Sequence, residues 1–225
     1  ELHKDDVVIN HLSNGTSWNR RFGDFSCRKI IYYHNVTPPR FFDDFSVELQ
    51  MNCHRGLKDV EYLADKVDYC LAVSEFNKQD LRRMGYRQKI DVLPILIPYG
   101  DYDKTPSQKI LDKYGDGRTN ILFTGRISPN KKQEDVIKAF FYYKNYMNQD
   151  ARLFFVGKYA GMEAYYEQLK RYAEALDLKD VYFTGHIKFD EILAYYRTAD
   201  VFVCMSEHEG FCVPLVEAMY FGVPI

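Results

Sequence analysis

The sequence has little net charge, no long apolar run and no paired cysteines, and each absence excludes a class of protein. Its 30 basic and 32 acidic residues leave a formal charge of -2, so no strong field of either sign attracts nucleic acid or an anionic membrane. No apolar run approaches the roughly 18 residues that a membrane-spanning helix needs. The 225 residues are enough for two small domains. We therefore expect two lobes and no nucleic-acid partner.

The five cysteines are scattered through the chain and form no C-x-x-C pair. An odd number without paired spacing does not describe a disulfide framework, and it fits a reducing cytoplasm best. Cys204, His208 and Cys212 are spaced by four, which imitates metal ligands on one helix face. They span a predicted strand end and a loop, without a second ligand pair. We expect a cytoplasmic protein and no metal at these residues.

Short β-rich runs alternate with amphipathic stretches, as βα units on a parallel sheet do. In the first half, the apolar runs predict strands at 29–35, 68–73 and 90–97. Helical periodicity covers 43–66 and 75–84, and Ser74 is the predicted N-cap of the second helix. The segment 97–108 contains two prolines and a glycine, so it is the best linker candidate. We place the domain boundary near residue 104.

The second half shows the same alternation more clearly. The predicted strands are 120–125, 151–157, 180–185 and 199–205, and the predicted helices are 135–147, 163–176, 190–199 and 214–221. Three of the four strands end in glycine, where the chain must turn tightly toward its helix. Ligands of open parallel sheets gather at the carboxyl ends of the strands, so we expect the functional site there.

Two cations follow Gly125 in the loop GRISPNKK, between a predicted strand and a predicted helix. Arg126 and Lys131 suit a diphosphate, since an arginine can grip two oxygens and a lysine adds a mobile point charge. The alternative is a solvated helix start with ordinary surface charge. Cations are poorly placed at a helix N-terminus unless an anion is bound there.

Two glutamates lie eight positions apart near the end of the sequence. Pro214 fits the first position of a helix and Gly222 the position after its end, which predicts Glu217 in the first turn. There, compensation of the helix dipole would already explain a carboxylate. Glu209 lies in the preceding loop beside Gly210, and carboxylates at such a sheet edge are good acceptors for vicinal hydroxyls. The absence of G-x-G-x-x-G disfavours a nicotinamide or flavin cofactor.

The run GHIKFDEILAYYRTADVFVCMSEHEGFCVPLVEAMYFGVPI, together with GRISPNK, resembles the donor half of family-4 retaining glycosyltransferases (glycosyl transferases group 1), which have the GT-B fold. The spacing E-G-F-x-x-x-x-x-E-A-M after A-D-V-F-V is specific to that group. The first half matches more loosely, through YYHN, AVSEFNKQDLRRMGY and VLPILIPYG. The resemblance implies an α/β fold of two Rossmann-like lobes with parallel sheets, both incomplete: 1–104 in the acceptor lobe with the linker, and 105–225 in the nucleotide-sugar donor lobe.

The resemblance also implies the chemistry. A sugar would pass from a nucleotide-diphosphate-sugar donor to an acceptor hydroxyl with retention at the anomeric carbon, without a metal, in polysaccharide or glycoconjugate synthesis. Arg126 and Lys131 would hold the diphosphate, Glu217 the ribose and Glu209 the donor sugar, which His34 would face. The implied catalytic residues are Arg126, Lys131, Glu209 and His34, and the implied donor-binding residues are Glu217, Gly210, Phe211, Gly125, His186 and Ile187.

Two departures from the family pattern bear on donor preference. Cys212 stands where many members have glycine, and Met205 where many have proline. The acceptor is expected to be a glycan, a lipid-linked compound or another hydroxyl compound. Peripheral association of the full-length protein with the inner face of the membrane is a further expectation. Family members begin earlier and continue past Ile225, so we expect an internal fragment. The alternative function is a non-catalytic module that binds a sugar nucleotide or a glycan.

Overall fold

The computed structural model describes residues 2–225, which form two compact α/β units. One unit contains the chain up to Leu96 together with His208–Phe211, and the other contains Ile97–Glu207 and Cys212–Ile225. Each unit has a four-stranded sheet in which every pairing between neighbouring strands is parallel. This confirms the predicted fold class. The boundary near residue 104, with its acceptor and donor lobes, stays a prediction.

In the first unit the strand order follows the chain. The strands are β1 (Val7–Leu12), β2 (Arg28–Tyr33), β3 (Tyr69–Ala72) and β4 (Ile90–Val92). The helices are α1 (Ser17–Gly23), α2 (Val47–Leu63) and α3 (Glu75–Arg83), and a short 3-10 helix covers Pro39–Phe42. Leu12 pairs with Tyr33, and Tyr33 pairs with Ala72. All three side chains are fully buried, so the core of this unit continues to the carboxyl ends of its strands.

Several details of this unit differ from the prediction. The sequence did not predict β1, an edge strand whose Val7 and Ile9 are exposed. The strand predicted at 90–97 ends at Val92, because Pro94 has no N–H for a ladder bond. The helix predicted at 43–66 begins after Ser46, whose Oγ accepts from Leu49 N at 3.3 Å. The predicted cap is confirmed: Asn77 N donates to Ser74 Oγ at 3.2 Å.

In the second unit the strand order is β7-β6-β5-β8. The strands are β5 (Thr119–Thr124), β6 (Ala151–Val156), β7 (Val181–Gly185) and β8 (Val201–Phe202). The helices are α4 (Gln108–Tyr114), α5 (Gln133–Tyr146), α6 (Glu163–Ala175), α7 (Phe189–Thr198) and α8 (Val213–Tyr220). Short 3-10 helices cover Tyr99–Asp101 and Pro129–Lys131. Every residue of β6 is buried, as a central parallel strand requires.

The predicted helices of this unit agree with the structure to within two residues at either end. The helix α4 was not predicted, and the strand predicted at 199–205 is only Val201–Phe202. Beyond that strand Val203 still donates to the carbonyl of Leu122 at 2.9 Å, and the chain then becomes irregular. Among residues 2–225 no helix has the length and the apolar character needed to cross a bilayer.

Candidate functional site

Three glycines end three neighbouring strands of the second unit. Gly125, Gly157 and Gly185 have φ values of 141°, 155° and 68°, a range that side chains with a Cβ rarely adopt. A Cβ on Gly157 would also overlap the carbonyl oxygen of Gly125. Only glycine fits this close approach of two backbones, and the tight turns predicted at these strand ends are confirmed. We call this carboxyl end of the sheet, with its three glycines, the glycine edge.

A cavity of about 230 Å³ opens at this glycine edge, entirely within the second unit. Its lining includes Gly125, His186, Ile187 and Glu217, four residues that the sequence assigned to donor binding. The structure brings them together, although they come from three separate stretches of the chain. Their individual roles stay predictions.

Two buried tyrosines hold the carboxylate of Glu217. Tyr102 donates its hydroxyl to Oε1 at 2.8 Å, and Tyr196 donates to Oε2 at 2.7 Å. The Tyr196 oxygen also lies 2.6 Å from Thr124 Oγ1. Burial, followed by the interactions with Glu217, raises the pKa of both tyrosines, so both remain protonated donors. A carboxylate has about four acceptor positions, and Glu217 therefore keeps acceptor capacity for a ligand.

The position of Glu217 within α8 differs from the prediction. Val213 is the first residue of the helix and Pro214 the second, so Glu217 is the fifth and lies beyond the first turn. The first turn contains no acidic residue, and compensation of the helix dipole no longer explains Glu217. Gly222 follows the helix with φ of 69°, as predicted. The carboxylate instead accepts from the two tyrosines, and Glu217 lines the cavity.

A buried glutamine fixes the shape of the loop between β5 and α5. Gln133 is fully buried, and its Nε2 donates to the carbonyl of Arg126 at 3.0 Å. Ser128 Oγ donates to Asn130 Oδ1 at 2.7 Å. Ser128 directly precedes the 3-10 helix Pro129–Lys131, and Asn130 lies within it. The loop that carries both predicted cations therefore has a defined conformation before any ligand binds.

Arg126 has hydrogen-bonding capacity that the protein does not use. Its Nη2 donates to the carbonyl of Ala160 at 3.2 Å, while its buried Nε has no hydrogen-bond partner within residues 2–225. Lys131 ends the 3-10 helix and is partly exposed. The neighbouring Lys132 is instead committed to carboxylates, at 2.9 Å from Glu134 and 3.6 Å from Glu207. Arg126 thus keeps an unused donor in this loop, whereas Lys132 is engaged by carboxylates.

His34 follows β2 in the first unit and pairs with a second histidine. His11 Nδ1 and His34 Nε2 are 2.9 Å apart, and the ring of Tyr32 lies 4.3 Å from the His34 ring between centroids. Burial and then the charge of His11 lower the pKa of His34. The predicted active-site histidine is therefore neutral near pH 7, and its partner His11 was not predicted from the sequence.

Two asparagines hold the segment His208–Phe211 in the first unit. Asn35 Nδ2 donates to the carbonyl of Glu209, and Asn77 Nδ2 to that of Gly210, both at 3.2 Å. A Cβ on Gly210 would overlap the carbonyl oxygen of His34, so this backbone approach requires glycine. Phe211 follows in the same segment and is partly exposed.

Sequence reasoning missed both asparagines, although Asn35 carried a signal. It ends the strand predicted at 29–35, lies two residues beyond the observed end of β2, has φ of 79° and accepts from Val36 N at 2.8 Å. Asparagine tolerates that conformation better than most residues. The predicted residues thus form two groups: His34, Glu209, Gly210 and Phe211 belong to the first unit, and the other six to the second.

Comparisons with known proteins show what the chain is similar to. The profile of the family described as "Glycosyl transferases group 1" matches residues 105–225, more than half of the chain. The mannosyltransferase WbdA of Escherichia coli is 33% identical over 235 residues, covering 99% of this chain and 27% of the relative. A GDP-mannose-dependent alpha-mannosyltransferase of Mycolicibacterium smegmatis is 33% identical over 112 residues, covering 49% of this chain and 25% of the relative.

Solved structures show the same fold. HepE of Anabaena, in complex with UDP and glucose, superposes with a TM-score of 0.70 at 21% identity, covering 88% of this chain and 52% of that one. Sucrose-phosphate synthase of Thermosynechococcus elongatus superposes with a TM-score of 0.75 at 17% identity, covering 97% of this chain and 54% of that one. The chain spans about a quarter of the length of WbdA. By its profile match and its GT-B architecture, the chain belongs to the glycosyl transferases group 1 family.

Proposed function

We propose that this protein transfers a sugar from a nucleotide-diphosphate-sugar donor to an acceptor hydroxyl, with retention at the anomeric carbon. The observation that carries the proposal is the cavity at the glycine edge, where Glu217 lies with both carboxylate oxygens oriented by tyrosines. A nucleoside presents two vicinal ribose hydroxyls, and a carboxylate accepts from both. The amides near His186 and Ile187 would hold the base.

Arg126 and Lys131 would bind the diphosphate and stabilise it as it leaves. The buried Nε of Arg126 has no partner in the described chain, and a buried donor without a partner costs roughly 1–3 kcal/mol. A phosphate oxygen at that nitrogen would remove the cost. Two fixed cations also supply the charge stabilisation that a divalent metal provides in other enzymes. The proposal therefore includes a reaction without a metal.

The first donor to test is a mannosyl nucleotide. Both relatives described above are named mannosyltransferases, one of them GDP-mannose-dependent, whereas HepE was solved with UDP and glucose. We therefore place GDP-mannose ahead of UDP-glucose. The acceptor would be a glycan, a lipid-linked compound or another hydroxyl compound, with peripheral membrane association of the full-length protein as part of the proposal. Glu209 and His34 keep the roles that the resemblance implies.

The test combines binding to this chain with transfer by the full-length protein. Calorimetry with GDP, UDP and their sugars should detect one preferred nucleotide, and a labelled-sugar assay should detect transfer with retained configuration. Arg126→Ala should lower kcat by about 10²–10³-fold, as loss of one charge-stabilising donor typically does. Arg171→Ala, on the exposed side of α6, is the matched control and should leave kcat unchanged.

Three results would contradict the proposal in different ways. Absence of nucleotide binding would remove the donor site. Binding without transfer or donor hydrolysis would instead favour the non-catalytic module. Loss of activity in EDTA that Mg²⁺ or Mn²⁺ restores would show that the two cations do not replace a metal.

A further inference from the structure

Two cysteines of the second unit lie side by side. The Sγ atoms of Cys204 and Cys212 are 4.0 Å apart, and both side chains are partly exposed. The three other cysteines, Cys27, Cys53 and Cys70, are buried. The pair is therefore distinguished by both its proximity and its access to solvent.

Both cysteines lie outside the strands and helices of the unit. Cys204 lies two residues beyond β8, in irregular chain. Cys212 precedes α8 in the left-handed region, with φ of 63° and ψ of 61°, a conformation that is strained for a residue with a Cβ. A disulfide requires the sulfurs to approach to about 2.05 Å. Bridge formation therefore requires rotation of the two side chains, with backbone shifts, to bring the sulfurs from 4.0 Å to bonding distance.

We propose that Cys204 and Cys212 form a modification site, which a small disulfide such as oxidised glutathione converts into an intramolecular disulfide bridge. The thiolate of one cysteine attacks a sulfur of oxidised glutathione, which gives a mixed disulfide and releases one glutathione thiol. The second thiolate then attacks the protein sulfur of the mixed disulfide and releases the second glutathione thiol. Two electrons pass from the protein to the glutathione disulfide, and the two cysteine protons are taken up by the released thiolates.

The bridge would close the chain between residues 204 and 212 into a ring that contains Glu209. It would also displace the start of α8, the helix whose Glu217 lines the cavity. The oxidised chain should therefore bind a nucleoside diphosphate more weakly than the reduced chain. This consequence rests on the proposed function, whereas formation of the bridge does not.

The experiment exposes the reduced chain to increasing ratios of oxidised to reduced glutathione and measures intact mass. Bridge formation should remove about two mass units, for the two hydrogens lost, and peptide mapping should join residue 204 to residue 212. Cys204→Ser and Cys212→Ser should instead stop at the mixed disulfide with glutathione. Cys53→Ala, which removes a buried thiol, is the matched control and should still form the bridge.

Each result has a distinct meaning. A wild-type chain that keeps five thiols or forms only mixed disulfides under these conditions would overturn the proposal. So would a bridge that maps to another cysteine. Calorimetry of GDP and UDP on both forms then tests the consequence: equal affinity of the two forms would overturn the effect on the cavity. No binding by the reduced chain would contradict the proposed function while leaving the mass measurement intact.

Discussion

The hydroxyl of Tyr196 donates to Oε2 of Glu217 at 2.7 Å and lies 2.6 Å from Thr124 Oγ1. This one buried oxygen links the end of β5 to α8, since Thr124 is the last residue of that strand. Tyr196 donates its one hydroxyl hydrogen to the carboxylate, so Thr124 donates to Tyr196. The hydrogen bond from Thr124 thereby orients the Tyr196 hydroxyl toward Glu217. The relationship makes Tyr196 a positioning residue for Glu217.

Tyr196→Phe should destabilise the second unit. The change leaves the buried Thr124 hydroxyl and the partly buried Glu217 carboxylate each without one hydrogen bond. Loss of a partner at a buried group typically costs about 1–3 kcal/mol. Unfolding in guanidinium chloride measures the loss. Tyr142→Phe removes the same atom from a ring that is 66% exposed and should change stability by no more than about 0.5 kcal/mol. Equal effects of the two changes would show that the Tyr196 hydroxyl has no special role.

Gly210→Ala should disturb the loop that carries Glu209. The new Cβ would overlap the backbone oxygen of His34, which cannot rotate away, so the loop would have to shift and its bonds from Asn35 and Asn77 would weaken. Overpacking of this kind costs roughly 1–3 kcal/mol. Gly100→Ala meets nothing within 4 Å and has no positive φ, so it is the matched control. Thermal unfolding of both variants measures the difference. Equal melting temperatures would show that the backbones of Gly210 and His34 are not in close contact.

Folding stability should depend on pH through His34. Burial and then repulsion by His11 lower its pKa below 6.5, so the unfolded chain takes up the proton before the folded chain does. The contribution of this residue is therefore fully present above pH 6.5 and decreases as the pH falls toward the lowered value. Urea unfolding from pH 7.5 downward should show this decrease in the wild type.

The two histidine variants separate the causes of the shift. His34→Asn should remove this part of the pH dependence, while His11→Asn should reduce it, because repulsion disappears and burial remains. An identical pH profile for all three proteins would contradict the assignment.

Local patterns predicted most elements of this fold but not the contacts that connect distant parts of the chain. Apolar runs indicated β5 and β6, because a parallel strand with both faces buried is apolar throughout. The partly buried edge strand β7 was indicated by its β-rich run and its terminal glycine. The edge strand β1 was missed, since its exposed side and its polar residues Asn10 and His11 interrupt the pattern. The sequence of β1 therefore gives no continuous apolar run to indicate a strand.

The candidate site shows the same limit. The resemblance to the family predicted Glu217, Gly125, His186 and Ile187 as donor-binding residues, and the structure brings these four to one cavity. The sequence did not indicate Tyr102, which lies 115 residues from its partner Glu217. No local pattern encodes a pairing over that distance. The helix start was misplaced by one residue because Pro214 occupies the second position of α8.

Cys212 should lower the stability of the folded chain through its backbone. With φ of 63° it occupies a region that costs a residue with a Cβ roughly 1–2 kcal/mol. Cys212→Gly should therefore be more stable than Cys212→Ala by about 1 kcal/mol, since both lack the thiol and only alanine keeps the strain. Denaturant unfolding under reducing conditions compares them. Equal stability, or a more stable alanine variant, would show that the position is not strained.

The last prediction separates the two glutamates of the motif. Glu217 lines the cavity and Glu209 does not, so Glu217→Gln should weaken binding of the free nucleoside diphosphate, while Glu209→Gln should leave it nearly unchanged. Under the proposed function Glu209 holds the transferred sugar, where small displacements from the reacting carbon are costly. Glu209→Gln should then lower transfer by the full-length protein far more than it changes nucleotide affinity. Calorimetry and turnover are measured on both variants. If Glu209→Gln loses nucleotide affinity while Glu217→Gln keeps it, the two roles are reversed and the cavity is not the nucleotide site.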